Sequence, residues 1–176
     1  MNYLKITQHD IANGPGVRVV LWVSGCTCYC NECHNQESWD FNSGIEFNRE
    51  ALQDIFNSLA PDYVQGLTLS GGHPLEDQNC ETILELVKII TAKYPEKNIW
   101  LYTGYRYEDI MDDKSAYGII RQQILSYCDV LVDGRFEIEN KNITLNYRGS
   151  SNQRVIDLHN STPDNICLWQ ERYNTI

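Results

Sequence analysis

Gly66-Leu67-Thr68-Leu69-Ser70-Gly71-Gly72-His73-Pro74 reads as a short apolar strand running directly into a glycine turn. A helical pattern lies on each side of it. Upstream, Asn48 is placed to cap a helix reaching about residue 60, and Leu52, Ile55, Phe56 and Leu59 fall three or four apart on one face. Pro61 stops that helix. Downstream, a second helix is predicted over residues 80–94, with Ile83, Leu86, Val87 and Ile90 facing inward. The alternation continues in both directions. After the turn Asn13-Gly14-Pro15-Gly16, residues 18–24 are rich in β-branched and aromatic side chains and form the first predicted strand. Residues 98–102 form a third strand, followed by Thr103-Gly104-Tyr105. Helical material fills 107–126 with a break near Asp112-Asp113. A fourth strand at 130–132 leads into Asp133-Gly134, and shorter extended pieces are expected near 143–148 and 154–156.

Strands alternating with helices predict an α/β fold with βαβ units and a mainly parallel sheet. Four such strands are too few for a closed eight-stranded barrel, so the expected architecture is a single-domain partial (β/α) barrel or open sheet. Residues 13–156 make its core, and the tail 157–176 has no assigned role. Each Gly- or Cys-rich segment directly follows a strand. In parallel α/β folds ligands bind at that carboxyl end, so Thr103 and Asp133 become candidates for ligand contact.

A chain of 176 residues, 42% hydrophobic and 22% charged, suits one soluble globular domain. The net charge of −10 repels phosphate backbones, so nucleic acid is not an expected partner. No apolar run approaches membrane-spanning length, and the N-terminus lacks a basic-then-apolar secretory pattern, so a cytoplasmic location is expected.

Four of the seven cysteines, Cys26, Cys28, Cys30 and Cys33, crowd into eight residues. Disulfide frameworks spread their cysteines, whereas a tight cluster in a reducing compartment reads as a metal site. The spacing Cys26-x3-Cys30-x2-Cys33 can hold three irons of a cubane and leave the fourth open to an outside ligand. On spacing alone the alternative is zinc, bound by these cysteines with His34. A short loop cannot easily wrap four cysteines around one cube, so Cys28 is expected to be a bystander. Cys80, Cys128 and Cys167 are expected to pack as small hydrophobes.

The three-cysteine loop resembles that of the radical S-adenosylmethionine superfamily, and Ser70-Gly71-Gly72-His73-Pro74 resembles its Gly-Gly-x-Pro stretch. Further segments resemble one branch, the activating proteins of anaerobic ribonucleoside-triphosphate reductases. They are Asn13-Gly14-Pro15-Gly16-Val17-Arg18, Val23-Ser24-Gly25-Cys26, Gly66-Leu67-Thr68-Leu69-Ser70-Gly71-Gly72, Trp100-Leu101-Tyr102-Thr103-Gly104-Tyr105, Val130-Leu131-Val132-Asp133-Gly134 and Arg148-Gly149-Ser150-Ser151-Asn152-Gln153. They run in family order. Relatives usually carry a glycine before the third cysteine and an aromatic after it; here Glu32 and His34 stand there, while Asn35 keeps the pattern. Many relatives also carry an acid where His73 stands.

The resemblance implies a 4Fe–4S cluster on Cys26, Cys30 and Cys33, with S-adenosyl-L-methionine chelating the open iron. Glu32 and His34 then lie where the loop contacts that cofactor. Ser70, Gly71 and Gly72 hold its methionine moiety, and the amino group beside His73 is held by backbone carbonyls. A donor such as a flavodoxin reduces the cluster, the C–S bond breaks, and the adenosyl radical takes a hydrogen from a glycine of the reductase. Family members are often dimeric, so a homodimer is also implied. Two other readings stand beside this one: a member of the same superfamily acting on a small molecule, and a zinc-stabilised binding module without catalysis.

Overall fold

The computed structural model describes residues 1–170, so the last six residues of the expected tail lie outside the described residues. Chain order is β1 (Asn2–Asp10), β2 (Val17–Val23), β3 (Ile45–Glu46), α1 (Arg49–Leu59), β4 (Val64–Gly71), α2 (Asp77–Lys93), β5 (Asn98–Tyr102), α3 (Tyr107–Asp112), α4 (Ala116–Leu125), β6 (Val130–Asp133) and β7 (Arg154–Asp157). One mixed sheet has the order β3-β1-β2-β4-β5-β6-β7. Its centre, β2-β4-β5-β6, is parallel, as expected. Its edges are antiparallel: β1 pairs β2 and β3, and β7 pairs β6.

The helices start and stop for local reasons. Asn48 caps α1 through its side-chain oxygen, which accepts from Glu50 and Ala51 N–H groups at 3.0 Å. Ser115 caps α4 by accepting from the Gly118 N–H at 3.0 Å, which places the break in the expected helical stretch at residues 113–115. The second helix begins at Asp77, three residues before the expected start.

Strand alternation sends side chains to two faces. Val19, Leu21, Leu67, Leu69, Ile99, Leu101 and Leu131 pack with Ile55, Leu59, Ile83, Leu86 and Ile90 of the helices. Because the central strands are added in chain order, right-handed crossovers bring α1, α2 and the α3–α4 pair to the same face. The opposite face carries Trp100, Val130, Val132 and Val155, covered by Tyr147 and Trp169 from the C-terminal loops. Near the amino ends of the parallel strands Arg18 is wholly buried there. It donates from Nε to Thr68 Oγ1 at 2.7 Å, from Nη1 to Asn98 Oδ1 at 2.7 Å and from Nη2 to the Leu67 carbonyl at 2.8 Å. Its guanidinium lies 5.4 Å from the Trp100 ring centroid.

Two expectations need correction. The extended piece near 143–148 is a chain of turns and bends. Asn142 accepts from the Thr144 N–H at 2.9 Å and from its hydroxyl at 2.7 Å, and Tyr147 takes a positive φ of 61°. Side chains that bond their own backbone compete with a ladder, and here they win. The N-terminal residues, assigned no structure from sequence, form the nine-residue β1.

Gly66 sits against the β5 backbone: a Cβ there would lie 1.9 Å from the Asn98 carbonyl oxygen. Gly66→Ala is expected to push the two strands apart and cost about 2–3 kcal/mol, an overpacking penalty read as a lower urea midpoint.

Candidate functional site

The four central strands end together, and the segments that leave them line one cavity of about 210 Å³. Cys26, Cys28, Cys30, Cys33 and His34 come from the loop after β2, and Ser70, Gly71, Gly72 and His73 from the end of β4. Thr103 and Gly104 follow β5, while Gly134, Arg135 and Phe136 follow β6. The structure therefore gathers nine sequence-nominated residues at one mouth: Cys26, Cys30, Cys33, His34, Ser70, Gly71, Gly72, His73 and Thr103. Two lie elsewhere. Glu32 is exposed and does not line the cavity. Asp133 is buried on the neighbouring polar cavity of about 500 Å³. Its carboxylate accepts from the Tyr107 N–H at 2.9 Å and from Arg154 Nε at 3.0 Å, and Arg154 also grips Glu108 in a two-pronged pair at 2.7 and 2.8 Å.

Backbone hydrogen bonds stitch the cysteine loop to the glycine turn. The Gly72 N–H donates to the Val23 carbonyl at 2.7 Å and the His73 N–H to the Gly25 carbonyl at 2.8 Å. A Cβ on Gly72 would sit 2.6 Å from the Gly25 oxygen. Gly71, at φ 103°, would place one 2.6 Å from the Val23 nitrogen. Contact between protein loops is thus enough to require both glycines.

Side chains complete the join through Glu76, which sequence reasoning missed. Its Oε1 accepts from the Thr27 N–H and the Thr27 hydroxyl, each at 2.8 Å, and lies 3.1 Å from His73 Nδ1. His73 Nε2 lies 2.6 Å from Thr103 Oγ1. Burial alone would raise the Glu76 carboxyl, but hydrogen bonds from His73 and Thr27 outweigh it and hold it down to about 2. Burial pushes the His73 ring the other way, below its ordinary value, despite Glu76. A neutral ring that donates Nδ1–H to the carboxylate and accepts the Thr103 hydroxyl at Nε2 satisfies every group. The available signal was an acid three residues past His73.

The thiols differ in environment. The proximity of Cys28 lowers the Cys26 thiol to about 7, while Cys26 and burial push the Cys28 thiol up. Burial raises Cys30, partly offset by the Phe136 backbone N–H. Cys33 Sγ accepts from the Asn35 N–H at 3.4 Å. Tyr29 and Glu32, each directly before one of these cysteines, take positive φ values of 45° and 54°. Such a backbone costs an L-residue about 1–2 kcal/mol.

Three soft donors facing one cavity suit a thiolate-bound iron cluster. The buried Trp39 Nε1 has no partner among the described residues, and Trp39 lines the cavity. Gly104 packs against Cys28, where a Cβ would lie 2.5 Å from the Cys28 Sγ. Among the described residues, no three His, Cys, Asp or Glu side chains converge tightly enough for a single ion. Thiolates on three corners of a cube stand farther apart than the ligands of one ion.

Two measurements check this geometry. Glu32→Gly is expected to raise the stability of the metal-free protein by about 1 kcal/mol, read as a higher urea midpoint, by relieving the left-handed backbone. Stability is also expected to fall on acidification. His73 and Glu76 both have folded-state pKa values below their unfolded ones, so each contributes fully above the unfolded value and is lost below it. His73 gives a decline beginning near pH 6.5, and Glu76 a second one beginning near pH 4.5. Urea midpoints measured against pH should show the first limb, and His73→Gln should remove it.

The family described as "4Fe-4S single cluster domain" matches residues 12–156. The anaerobic ribonucleoside-triphosphate reductase-activating protein of Enterobacteria phage T4 is 43% identical over 157 residues, covering 88% of this chain and 93% of its own length. The proteins of that name from Haemophilus influenzae and Escherichia coli K12 are each 43% identical over 157 residues, covering 88% of this chain and 97% of their own lengths. The chain belongs to the family of anaerobic ribonucleoside-triphosphate reductase-activating proteins, with a 4Fe–4S single-cluster domain over most of its length.

Proposed function

We propose that this chain activates an anaerobic ribonucleoside-triphosphate reductase as a radical S-adenosylmethionine enzyme, in the partial-barrel form of that superfamily. In this reading Cys26, Cys30 and Cys33 hold a 4Fe–4S cluster, and reductive cleavage of S-adenosyl-L-methionine leads to a glycyl radical on the reductase. One observation carries it: three thiols of a single loop share a cavity with the segments leaving all four parallel strands. When bound, the cluster supplies one electron and an iron without a protein ligand.

The chain's own residues do the rest. Hydrogen bonding engages both ring nitrogens of His73, to Glu76 and Thr103, so its side chain positions the turn. The methionine ammonium is left to backbone carbonyls of residues 70–72. Arg135 lies in the cavity lining and brings positive charge to bear on Cys28 and Cys30, which suits the methionine carboxylate. His34 and Phe136, with ring centroids 6.0 Å apart, offer flat surfaces for a base. Glu32 and Asp133 act on the site by shaping its loops. An external one-electron donor such as a flavodoxin completes the reading. No helix among the described residues is long and apolar enough to cross a membrane.

The test is anaerobic incubation of the iron-loaded protein with dithionite and S-adenosyl-L-methionine. Release of 5′-deoxyadenosine is expected, with a glycyl-radical signal on added reductase. Cys26→Ala, Cys30→Ala and Cys33→Ala should each abolish the release, whereas Cys28→Ala should keep both iron and activity. Iron-loaded protein that releases no 5′-deoxyadenosine would sink the proposal, and loss of iron in Cys28→Ala would reassign the ligands.

A further inference from the structure

Two further cavities adjoin the cysteine cavity. The polar one beside Asp133 shares Gly104, Gly134 and Arg135 with it. A smaller one, of about 270 Å³, shares Tyr102 and Gly149 with it. Ala12 and Asn13 of the β1–β2 turn form one wall of this smaller cavity, and Leu145, Arg148 and Gly149 of the loop before β7 form another. The two rims differ. At the polar cavity Arg154 is held by Asp133 and Glu108, and Glu137 accepts from Asn140. At the smaller one, apolar side chains stand in solvent. Ile143 is 90% exposed and Ile11 76%, the two highest values for large hydrophobic side chains among the described residues. Ile11 directly precedes Ala12, and Ile143 stands two residues before Leu145. Single exposed apolar residues are ordinary, but two beside the walls of one opening offer a docking patch. Both walls are held in place. Asp10 accepts from the Ala12 and Asn13 N–H groups at 2.9 and 2.7 Å. The Tyr102 hydroxyl donates to the Tyr147 carbonyl at 2.7 Å, and the Asn142 N–H to the Gly149 carbonyl at 3.1 Å. A patch on firm walls loses little freedom when a partner binds.

We propose that this smaller opening admits the glycine-bearing segment of the reductase, with Ile11 and Ile143 as its apolar anchors. The inference rests on the radical reading above and deepens it by naming where the partner docks. A glycine can give up its Cα hydrogen only if the segment reaches the cysteine cavity, and an opening that shares Tyr102 and Gly149 with that cavity leads there. Asn13 and Arg148 in the walls supply polar groups for the backbone of an extended segment. Charge favours the same side. Residues 135–154 carry four Lys/Arg against two Asp/Glu, in a chain of net charge −10, so an acidic partner is repelled least here.

Ile11→Ser and Ile143→Ser remove the anchors and leave the cavity lining intact. In the iron-loaded protein each should keep the native release of 5′-deoxyadenosine measured without reductase. Each should raise the reductase concentration that half-saturates glycyl-radical formation about tenfold, equivalent to about 1.4 kcal/mol, with the rate at saturation kept. Arg106→Ala, in the lining of the polar cavity, should leave that concentration unchanged. Unchanged half-saturation in both isoleucine variants overturns the inference. A rise confined to Arg106→Ala also overturns it, because the entry would then be the polar cavity. Sedimentation velocity tests the other occupant, a second copy of this chain. A native dimer that both variants break, with half-saturation unchanged, would assign the patch to self-association and overturn the inference. Failure of the radical reading is recognised separately, as native iron-loaded protein that releases no 5′-deoxyadenosine. Calorimetry with the reductase then decides the docking: an about tenfold weaker Kd in each isoleucine variant supports it, and an equal Kd overturns it.

Discussion

Ladder hydrogen bonds hold β2, β4, β5 and β6 parallel and in register, so Val23, Gly71, Tyr102 and Asp133 finish at one edge of the sheet. The site depends on that alignment. Residues almost eighty positions apart, such as Cys26 and Thr103, become neighbours because their strands end side by side. The same chain-order addition of strands places the helices on one face. The other face is left to the cavity at one end and to the Arg18–Trp100 plug near the other. A sheet with antiparallel neighbours at its centre would send alternate loops to opposite ends and build no such mouth.

Alignment alone brings loops near each other without fixing their side chains. Glu76 does the fixing. One carboxylate oxygen takes the Thr27 N–H, the Thr27 hydroxyl and the His73 ring, and so ties the cysteine loop to the end of β4. His73 passes the tie on to Thr103 after β5. A charged acceptor with several donors in a buried place is strong because its alternative, an unpaired buried charge, is costly. The acid stands three residues after the histidine, and the histidine connects it to the next loop.

Asp133 shows how position after a strand can mislead. It ends β6 whereas Thr103 follows β5, and from sequence the two look equivalent. The structure sends Thr103 to the cysteine cavity and gives Asp133 to Arg154 and the start of α3. Arg154 comes from antiparallel β7, which reaches Asp133 only because the chain returns after a loop of turns. Charge pairing across that return decides what the carboxylate does.

The parallel centre of the sheet, α1 and the loop order were legible in the sequence, because apolar periodicity, caps and glycine turns act through near neighbours in the chain. The crowded cysteines and the Ser70–Gly72 stretch were legible for the same reason. Only the tertiary structure decided the rest. β1 has a half-exposed, weakly alternating pattern and exists through its pairing with β2. Glu76 is unremarkable in sequence and gains its role from contacts with a loop far away in the chain. Local physics selects the elements, whereas the direction of an edge strand and the partner of a buried polar group depend on what the completed sheet brings within hydrogen-bond reach.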